Sequence, residues 1–95
     1  MTVYMFAEMD VHDPEGYSEY PPKVLPLIEK HGGRITHRMG DFVAWEGDWT
    51  PSRMVIIEFP DMAAAKAFWD DPEYSPIKEI RLRTTKSRIF VGQGL

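Results

Sequence analysis

Short apolar segments alternate along the chain with amphipathic segments, and turn residues separate them. Val3–Ala7 and Met54–Ile57 are apolar at every position, which predicts two strands that are covered on both faces. Arg34–Met39 alternates polar with apolar residues and predicts a half-exposed strand, which is broken at Gly40-Asp41 and continued by Phe42–Trp45. Arg88–Val91 predicts a last short strand. Four strands are therefore expected.

The first amphipathic segment begins with helix signals. Asp13 is suited to accept from the free N–H groups of a first turn, and Pro14 suits the first helical position. An apolar stripe follows at helical spacing: Tyr17, Tyr20, Val24, Leu27 and Ile28. Three prolines interrupt this stripe and predict a kink or restart near residues 20–22. Gly32-Gly33 is expected to end the helix by supplying a left-handed residue.

A second helix is predicted over Met62–Trp69, with Asp61 as its N-cap. Its alanines have the highest helix propensity, and the stripe of Ala65, Phe68 and Trp69 faces inward. Pro72 ends this helix because the residue before a proline is pushed out of the helical region. Beyond it, the apolar spacing suits a further helical turn or two.

The segment Phe42–Phe59 predicts a β-hairpin, since two β-rich runs flank a polar loop that contains a glycine and a proline. With the loop at residues 47–52, Glu46 lies across from Arg53 and Trp45 across from Met54. Two tryptophans, two carboxylates and an arginine are therefore expected close to this turn.

The order strand, helix, strand, strand, helix, strand is the split βαβ pattern of ferredoxin-like folds. One α+β domain over residues 1–95 is expected, with a four-stranded antiparallel sheet and two main helices on one face. The two strands that are apolar on both sides require a cover for the other face as well. A second copy provides the simplest cover, which predicts a two-fold homodimer that pairs sheet against sheet.

Composition narrows the classes of partner and chemistry. The 95 residues carry a net charge of −4 without a basic patch, so nucleic acid is not expected as a partner. Cysteine is absent, which excludes disulfides, thiolate catalysis and Cys-ligated metal centres. No apolar run approaches the roughly 20 residues of a membrane span, and the N-terminus lacks the charged start of a signal peptide. We therefore expect a cytoplasmic protein with no membrane partner.

Acid–base chemistry has one weak candidate, Glu58, which shares a strand face with Met54 and Ile56. A buried carboxylate there would have to be paired or protonated and would suit a general acid or base. A plain exposed carboxylate near the end of the strand is the favoured reading. The three histidines show no metal-ligand spacing, so no metal site and no cofactor are predicted. An axial haem ligand at any one of them is the weaker alternative, since a lone histidine is a weak signal.

Several aromatic and charged residues are candidates for a ligand site, and each also has a structural reading. Arginine suits anion binding, but it can equally form a cross-strand ion pair or lie on the surface. Aromatic residues at helical spacing can line a pocket or simply fill the core, and a loop tryptophan can cover a pocket or pack across a subunit boundary. The candidate ligand-binding residues are Tyr17, Tyr20, Arg34, Glu46, Trp49, Arg53, Trp69, Tyr74 and Arg81.

Several motifs together resemble a known family. They are Tyr17 with Tyr20, His31-Gly32-Gly33-Arg34, Glu46-Gly47-Asp48-Trp49, Arg53, Ile57-Glu58-Phe59 and Asp71-Pro72-Glu73-Tyr74. With them, nearly the whole chain resembles a small bacterial family of the dimeric α/β-barrel superfamily, catalogued as domain of unknown function thirteen-thirty. The resemblance implies a ferredoxin-like protomer that pairs through its sheet. The superfamily includes cofactor-free monooxygenases, lactone isomerases, haem enzymes and proteins that only bind, so likeness of fold selects no chemistry.

Two functions are open on this basis. The first is a homodimer that binds a small apolar or acidic metabolite in a cleft between helices and sheet. As an enzyme, it would be monooxygenase- or isomerase-like and would perform cofactor-independent proton transfer or oxygenation. Glu58 or a histidine would then act as base, and Arg53 or Arg34 would hold an anion. The alternative is a non-enzymatic binding or assembly module whose aromatic residues serve packing and dimerisation.

Overall fold

A four-stranded antiparallel sheet carries helices on one face, in the strand order β2-β3-β1-β4. The computed structural model describes all 95 residues, Met1–Leu95. The elements are β1 (Val3–Val11), α1 (Pro14–Tyr17), α2 (Tyr20–Lys30), β2 (Arg34–Gly40), β3 (Arg53–Phe59), α3 (Met62–Trp69), α4 (Tyr74–Thr84) and β4 (Thr85–Gln93). This topology confirms the predicted ferredoxin-like protomer. None of the helices has the length and apolarity that a membrane crossing requires.

The predicted helix starts are confirmed. The side chain of Asp13 accepts from the backbone N–H of Gly16 at 3.1 Å, and that of Asp61 accepts from the N–H of Ala64 at 2.8 Å. α1 ends after four residues and α2 begins at Tyr20 with prolines in its first turn, as the predicted restart requires. Each carboxylate thus satisfies an N–H group that its helix leaves free.

The Gly-Gly pair ends α2 and positions β2. Gly32 has φ +78, in the left-handed region that glycine adopts without strain. At Gly33, a Cβ atom would lie 2.6 Å from Cε1 of Phe59 and 2.8 Å from Cγ2 of Ile28. Phe59 and Ile28 are fully buried, so only glycine lets the chain enter β2 this close to the core.

The predicted strand over residues 42–45 is wrong. β2 ends at Gly40, and residues 41–52 form a loop without regular structure. These residues have the β propensity of a strand but no neighbouring strand, and Trp45 is 96% exposed. Without ladder hydrogen bonds or burial, propensity alone does not form a strand.

The predicted hairpin register is wrong for the same reason. Gly40, not Glu46, is the partner of Arg53, and Met39, not Trp45, is the partner of Met54. The ion pair considered between Glu46 and Arg53 is therefore not formed in the sheet. The connection between β2 and β3 is twice as long as predicted, since the loop begins at residue 41 rather than 47.

Three elements are longer than predicted. α4 has 11 residues instead of one or two turns, β1 extends to Val11, and β4 spans Thr85–Gln93. Hydroxyl groups satisfy carbonyls at the end of α4, because Thr84 donates to the Ile80 carbonyl and Thr85 to the Arg81 carbonyl, both at 2.7 Å. The far end of β1 pairs with the start of β4 at Val11 and Thr85.

The two faces of the sheet have different surroundings. On the helix-facing side, alternate residues of the central strands, such as Met5 and Ile57, are buried in the core. The opposite side, which we call the open face, presents Tyr4, Phe6, Glu8, Arg34, His37, Met39, Met54, Ile56, Glu58, Arg88 and Phe90. Glu58 shares this face with Met54 and Ile56, as predicted.

Candidate functional site

A cavity of about 480 Å³ lies between the helices and the helix-facing side of the sheet. Most of its lining side chains are apolar, among them Met5, Met9, Val24 and Val55. No carboxylate and no histidine lines it. Its volume and lining fall in the range of sites that enclose small organic molecules.

Two tyrosines from different helices join inside this cavity. The hydroxyl of Tyr20 on α2 lies 2.8 Å from the hydroxyl of Tyr74 on α4, and both side chains are buried. The pKa of Tyr20 is raised well above its ordinary value. Burial is the largest cause and the neighbouring Tyr74 adds to it, while Arg81 opposes the shift. Tyr20 is therefore a neutral hydroxyl at physiological pH, able to donate a hydrogen bond but not to act as a base.

Tyr17 and Arg53 lie together at one side of the cavity. The guanidinium carbon of Arg53 is 5.2 Å from the ring centroid of Tyr17, within the range of a cation–π contact. The Tyr17 hydroxyl donates to the Met9 sulfur at 3.7 Å. Arg53 is exposed and lies, like Arg38, at the mouth of the cavity. The mouth is therefore positively charged.

Arg81 is a buried charge in the cavity wall. Its exposed fraction is 3%, and its Nη1 donates to the Ser87 hydroxyl. Its Nε has no hydrogen-bond partner, and none of the ion pairs in the protein includes this residue. The ring centroid of Trp69 lies 5.9 Å from its guanidinium carbon. A buried, unpaired guanidinium is uncommon because removing a charge from water is costly.

Trp69 lies next to the cavity rather than in it. Its ring centroid is 5.7 Å from that of Tyr74, and Lys78 Nζ lies 4.3 Å from the Trp69 ring centroid. It lines a smaller groove of about 280 Å³ between α3 and β4.

Arg34 and Glu58 are on the opposite side of the sheet from the cavity. They form an ion pair across β2 and β3, with Nη2 and Oε2 3.3 Å apart. The Glu58 side chain is 28% exposed, so it is neither buried nor unpaired. The structure therefore does not bring this proposed base or Arg34 to the cavity.

The loop residues Glu46 and Trp49 also lie away from the cavity. Glu46 is exposed, and the Trp49 ring centroid lies 5.6 Å from the guanidinium carbon of Arg88 on the open face. The loop thus passes from β2 at one edge of the sheet towards β4 at the other.

The histidines have other surroundings. Nε2 of His31 lies 2.8 Å from a carboxylate oxygen of Asp71, Nδ1 of His37 lies 2.9 Å from the Thr36 hydroxyl, and His12 is exposed. No group of three or more His, Cys, Asp or Glu side chains is arranged to hold a metal ion.

Arg38 lines the cavity but is absent from the sequence-based candidates. A β-bulge between Ile35 and His37 shifts the alternation of β2. As a result, Arg34 points to the open face and Arg38 to the helix-facing side, although their even spacing predicts one common face. No signal in the sequence marks the position of this bulge.

The chain belongs to the family described as "Domain of unknown function (DUF1330)", whose model matches residues 2–95. This confirms the family resemblance drawn from the motifs. No curated protein matches the chain.

Similar solved structures support the fold. A protein of unknown function from Rhodopseudomonas palustris has a TM-score of 0.80 at 21% identity, covering 99% of this chain and 82% of that one. SnoaB, a cofactor-independent oxygenase from Streptomyces nogalater, has a TM-score of 0.71 at 12% identity, and the match covers 99% of this chain and 93% of SnoaB. A dimeric ferredoxin-like protein of unknown function from Jannaschia sp. CCS1 has a TM-score of 0.65 at 9% identity, and the match covers 99% of this chain and 100% of that one. At these identities the likeness concerns the fold alone.

Proposed function

We propose that this DUF1330 protein binds a small, mainly apolar metabolite in the cavity between its helices and its sheet. The cavity carries the proposal. Binding sites for small organic molecules are concave, mainly apolar and about 300–1,000 Å³ in volume. A partly open cavity of about 480 Å³ with a mainly apolar lining has the size and character of such a site.

The polar groups of the cavity favour binding over catalysis. Proton abstraction requires a base within hydrogen-bond reach of the substrate, and neither a carboxylate nor a histidine lines the cavity. The groups present are hydroxyls and guanidinium groups, which donate hydrogen bonds. Cofactor-independent oxygenation, the activity of SnoaB, is the second candidate, favoured by donors that would stabilise an ionised substrate. It would need a substrate that ionises without a base from this chain.

We further propose a homodimer formed through the open face. Phe6 and Phe90 stack there with ring centroids 5.2 Å apart and an angle of 9° between the planes. Phe90 is 54% exposed, and Ile56 lies opposite Phe6 on the neighbouring strand. An apolar face of this kind would be covered by the same face of a second copy, and the similar Jannaschia protein is dimeric.

A thermal-shift experiment with a cavity-filling variant tests the binding proposal. Val24 is buried and lines the cavity, so Val24→Phe should occupy part of the space that a ligand needs. Val43→Phe makes the same substitution in the exposed loop and is the matched control. The compounds are indole, 1-naphthol, benzoate, 1-naphthoate and decanoate.

At least one compound should raise the Tm of the wild type and of Val43→Phe. The same compound should raise the Tm of Val24→Phe much less. A ligand at 100 times its dissociation constant stabilises by about 2.7 kcal/mol, which raises Tm by roughly 10 °C or more in a domain of this size. Equal shifts in both variants would place binding outside the cavity. No shift with any compound would favour the alternative of a packing and assembly module.

A further inference from the structure

We infer that the ligand is an organic acid and that Arg81 is the residue that binds its anionic group. This inference rests on the proposed function of the cavity and names the chemical class of its occupant. It assigns to Arg81 a role that its burial alone does not explain.

The pairing of the six arginines supports this role. Three of them have carboxylate partners and lie away from the cavity: Arg34 with Glu58, Arg83 with Glu19, and Arg88 with Glu8. The other three line the cavity and have no carboxylate partner: Arg38, Arg53 and Arg81. The guanidinium groups without a carboxylate partner therefore all lie at the cavity. An anionic ligand bound there would give them the partner that the other three arginines have.

Arg81 is the anchor among these three because it is buried. Arg38 and Arg53 are exposed, so water solvates their charges. Arg81 has a 3% exposed fraction, one hydroxyl partner on Nη1 and an Nε without any partner. A guanidinium has five N–H donors in a planar fork that matches a carboxylate, and the Nε donor of this fork is buried without a partner. A carboxylate would therefore satisfy both the charge and this free donor.

The tyrosine pair adds a further donor beside this fork. The hydroxyls of Tyr20 and Tyr74 hold two hydrogens, and the bond between them uses only one. Arg81 is close enough to Tyr20 to lower the pKa of its hydroxyl. The remaining hydrogen is thus available to an oxygen of the same anionic group, while the apolar walls at Met9 and Val24 would contact the hydrocarbon part.

Matched acids and amides test the inference. Isothermal titration calorimetry at pH 7 would compare benzoate with benzamide and 1-naphthoate with 1-naphthamide, which differ mainly in charge. The variants are Arg81→Met, which removes the charge, and Arg81→Lys, which keeps it but lacks the fork. Arg83→Met removes a paired, exposed arginine of the same helix and is the control.

The wild type and Arg83→Met should bind an acid at least tenfold more tightly than its amide. Arg81→Met should lose this preference while keeping the affinity for the amide, and Arg81→Lys should retain only part of it. The unliganded Arg81→Met protein should melt close to the wild-type Tm, because it loses the hydrogen bond to the Ser87 hydroxyl but breaks no ion pair. A merely structural arginine would instead lower Tm and leave the acid preference unchanged.

Two results would overturn the inference in different ways. Equal affinities for acid and amide in the wild type, or an acid preference that survives Arg81→Met, would reject the anchor while leaving the cavity as a binding site. Failure of both acids and both amides to bind, with no shift for the uncharged compounds above, would reject the proposed function together with it. Should Arg81→Met not fold, Arg81→Lys decides, since an unchanged acid preference in that variant would also reject the fork.

Discussion

The hydroxyl groups of Tyr20 and Tyr74 lie 2.8 Å apart and join α2 to α4 across the cavity. Both side chains are buried, so the hydrogen bond between the two hydroxyls replaces contacts that each would otherwise make with water. The pair therefore has two consequences, one for stability and one for the ligand site. It links the two helices, and it places polar hydrogens among apolar walls.

Replacing both tyrosines should cost less than the two single replacements added together, because the two hydroxyls share one hydrogen bond. Tyr20→Phe or Tyr74→Phe alone leaves a buried hydroxyl without its partner, at a cost of about 1–3 kcal/mol. The double variant should lose less than the sum of the single losses, as urea unfolding would measure. Tyr4→Phe on the open face is the control. Strictly additive losses would show that the two hydroxyls do not stabilise each other.

Asp71 should make stability sensitive to acid. Its carboxylate accepts from His31 Nε2 at 2.8 Å, from the backbone N–H of Glu73 at 2.9 Å and from Lys30 Nζ at 3.0 Å. The His31 bond, then the Glu73 bond, then Lys30 lower the pKa of Asp71 below its ordinary 3.8. A lowered pKa in the folded state contributes stability that is present above the ordinary pKa and is lost as pH falls through the folded value.

Asp71→Asn should therefore destabilise the protein at pH 5, and the difference from the wild type should shrink as pH falls below about 4. Urea unfolding at several pH values measures this difference. Asp70→Asn is the matched control, because Asp70 is a neighbouring, half-exposed carboxylate paired only with Lys66. A difference that stays constant down to pH 2 would contradict the account of Asp71.

A charge on the open face should dissociate the proposed dimer. Phe90→Asp places a carboxylate on the exposed half of the stack with Phe6. The wild type should sediment at twice the mass of the chain at micromolar concentration, and Phe90→Asp as a single chain. Leu82→Asp, at an exposed position of α4, should remain dimeric. A wild-type monomer at micromolar concentration would reject the dimer.

Local signals in the sequence were sufficient for much of the fold. The caps Asp13 and Asp61 and the Gly-Gly pair at the end of α2 act through neighbouring residues, so their effect can be read from the chain itself. The apolar segments of β1 and β3 likewise identify strands at the centre of the sheet.

The predictions that were wrong or incomplete concern features that depend on residues far away in the sequence. Residues 42–45 have strand propensity, but whether a partner strand lies beside them depends on the whole sheet. The bulge in β2 changes which side Arg38 faces, and the burial of Arg81 depends on how α4 packs against α2 and Trp69. Arginine is usually exposed, so sequence alone favoured a surface position for Arg81.

The most direct test of the account is a measurement of where an aromatic acid lies on the protein. Intermolecular NOEs from 1-naphthoate to methyl groups distinguish the two sides of the sheet, because Met9, Val24 and Val55 line the cavity whereas Met54 and Ile56 lie on the open face. Binding inside the cavity should give NOEs to the cavity methyls, and Arg81→Met should weaken these NOEs. NOEs confined to the open face, or none at a naphthoate concentration that stabilises the protein, would contradict it.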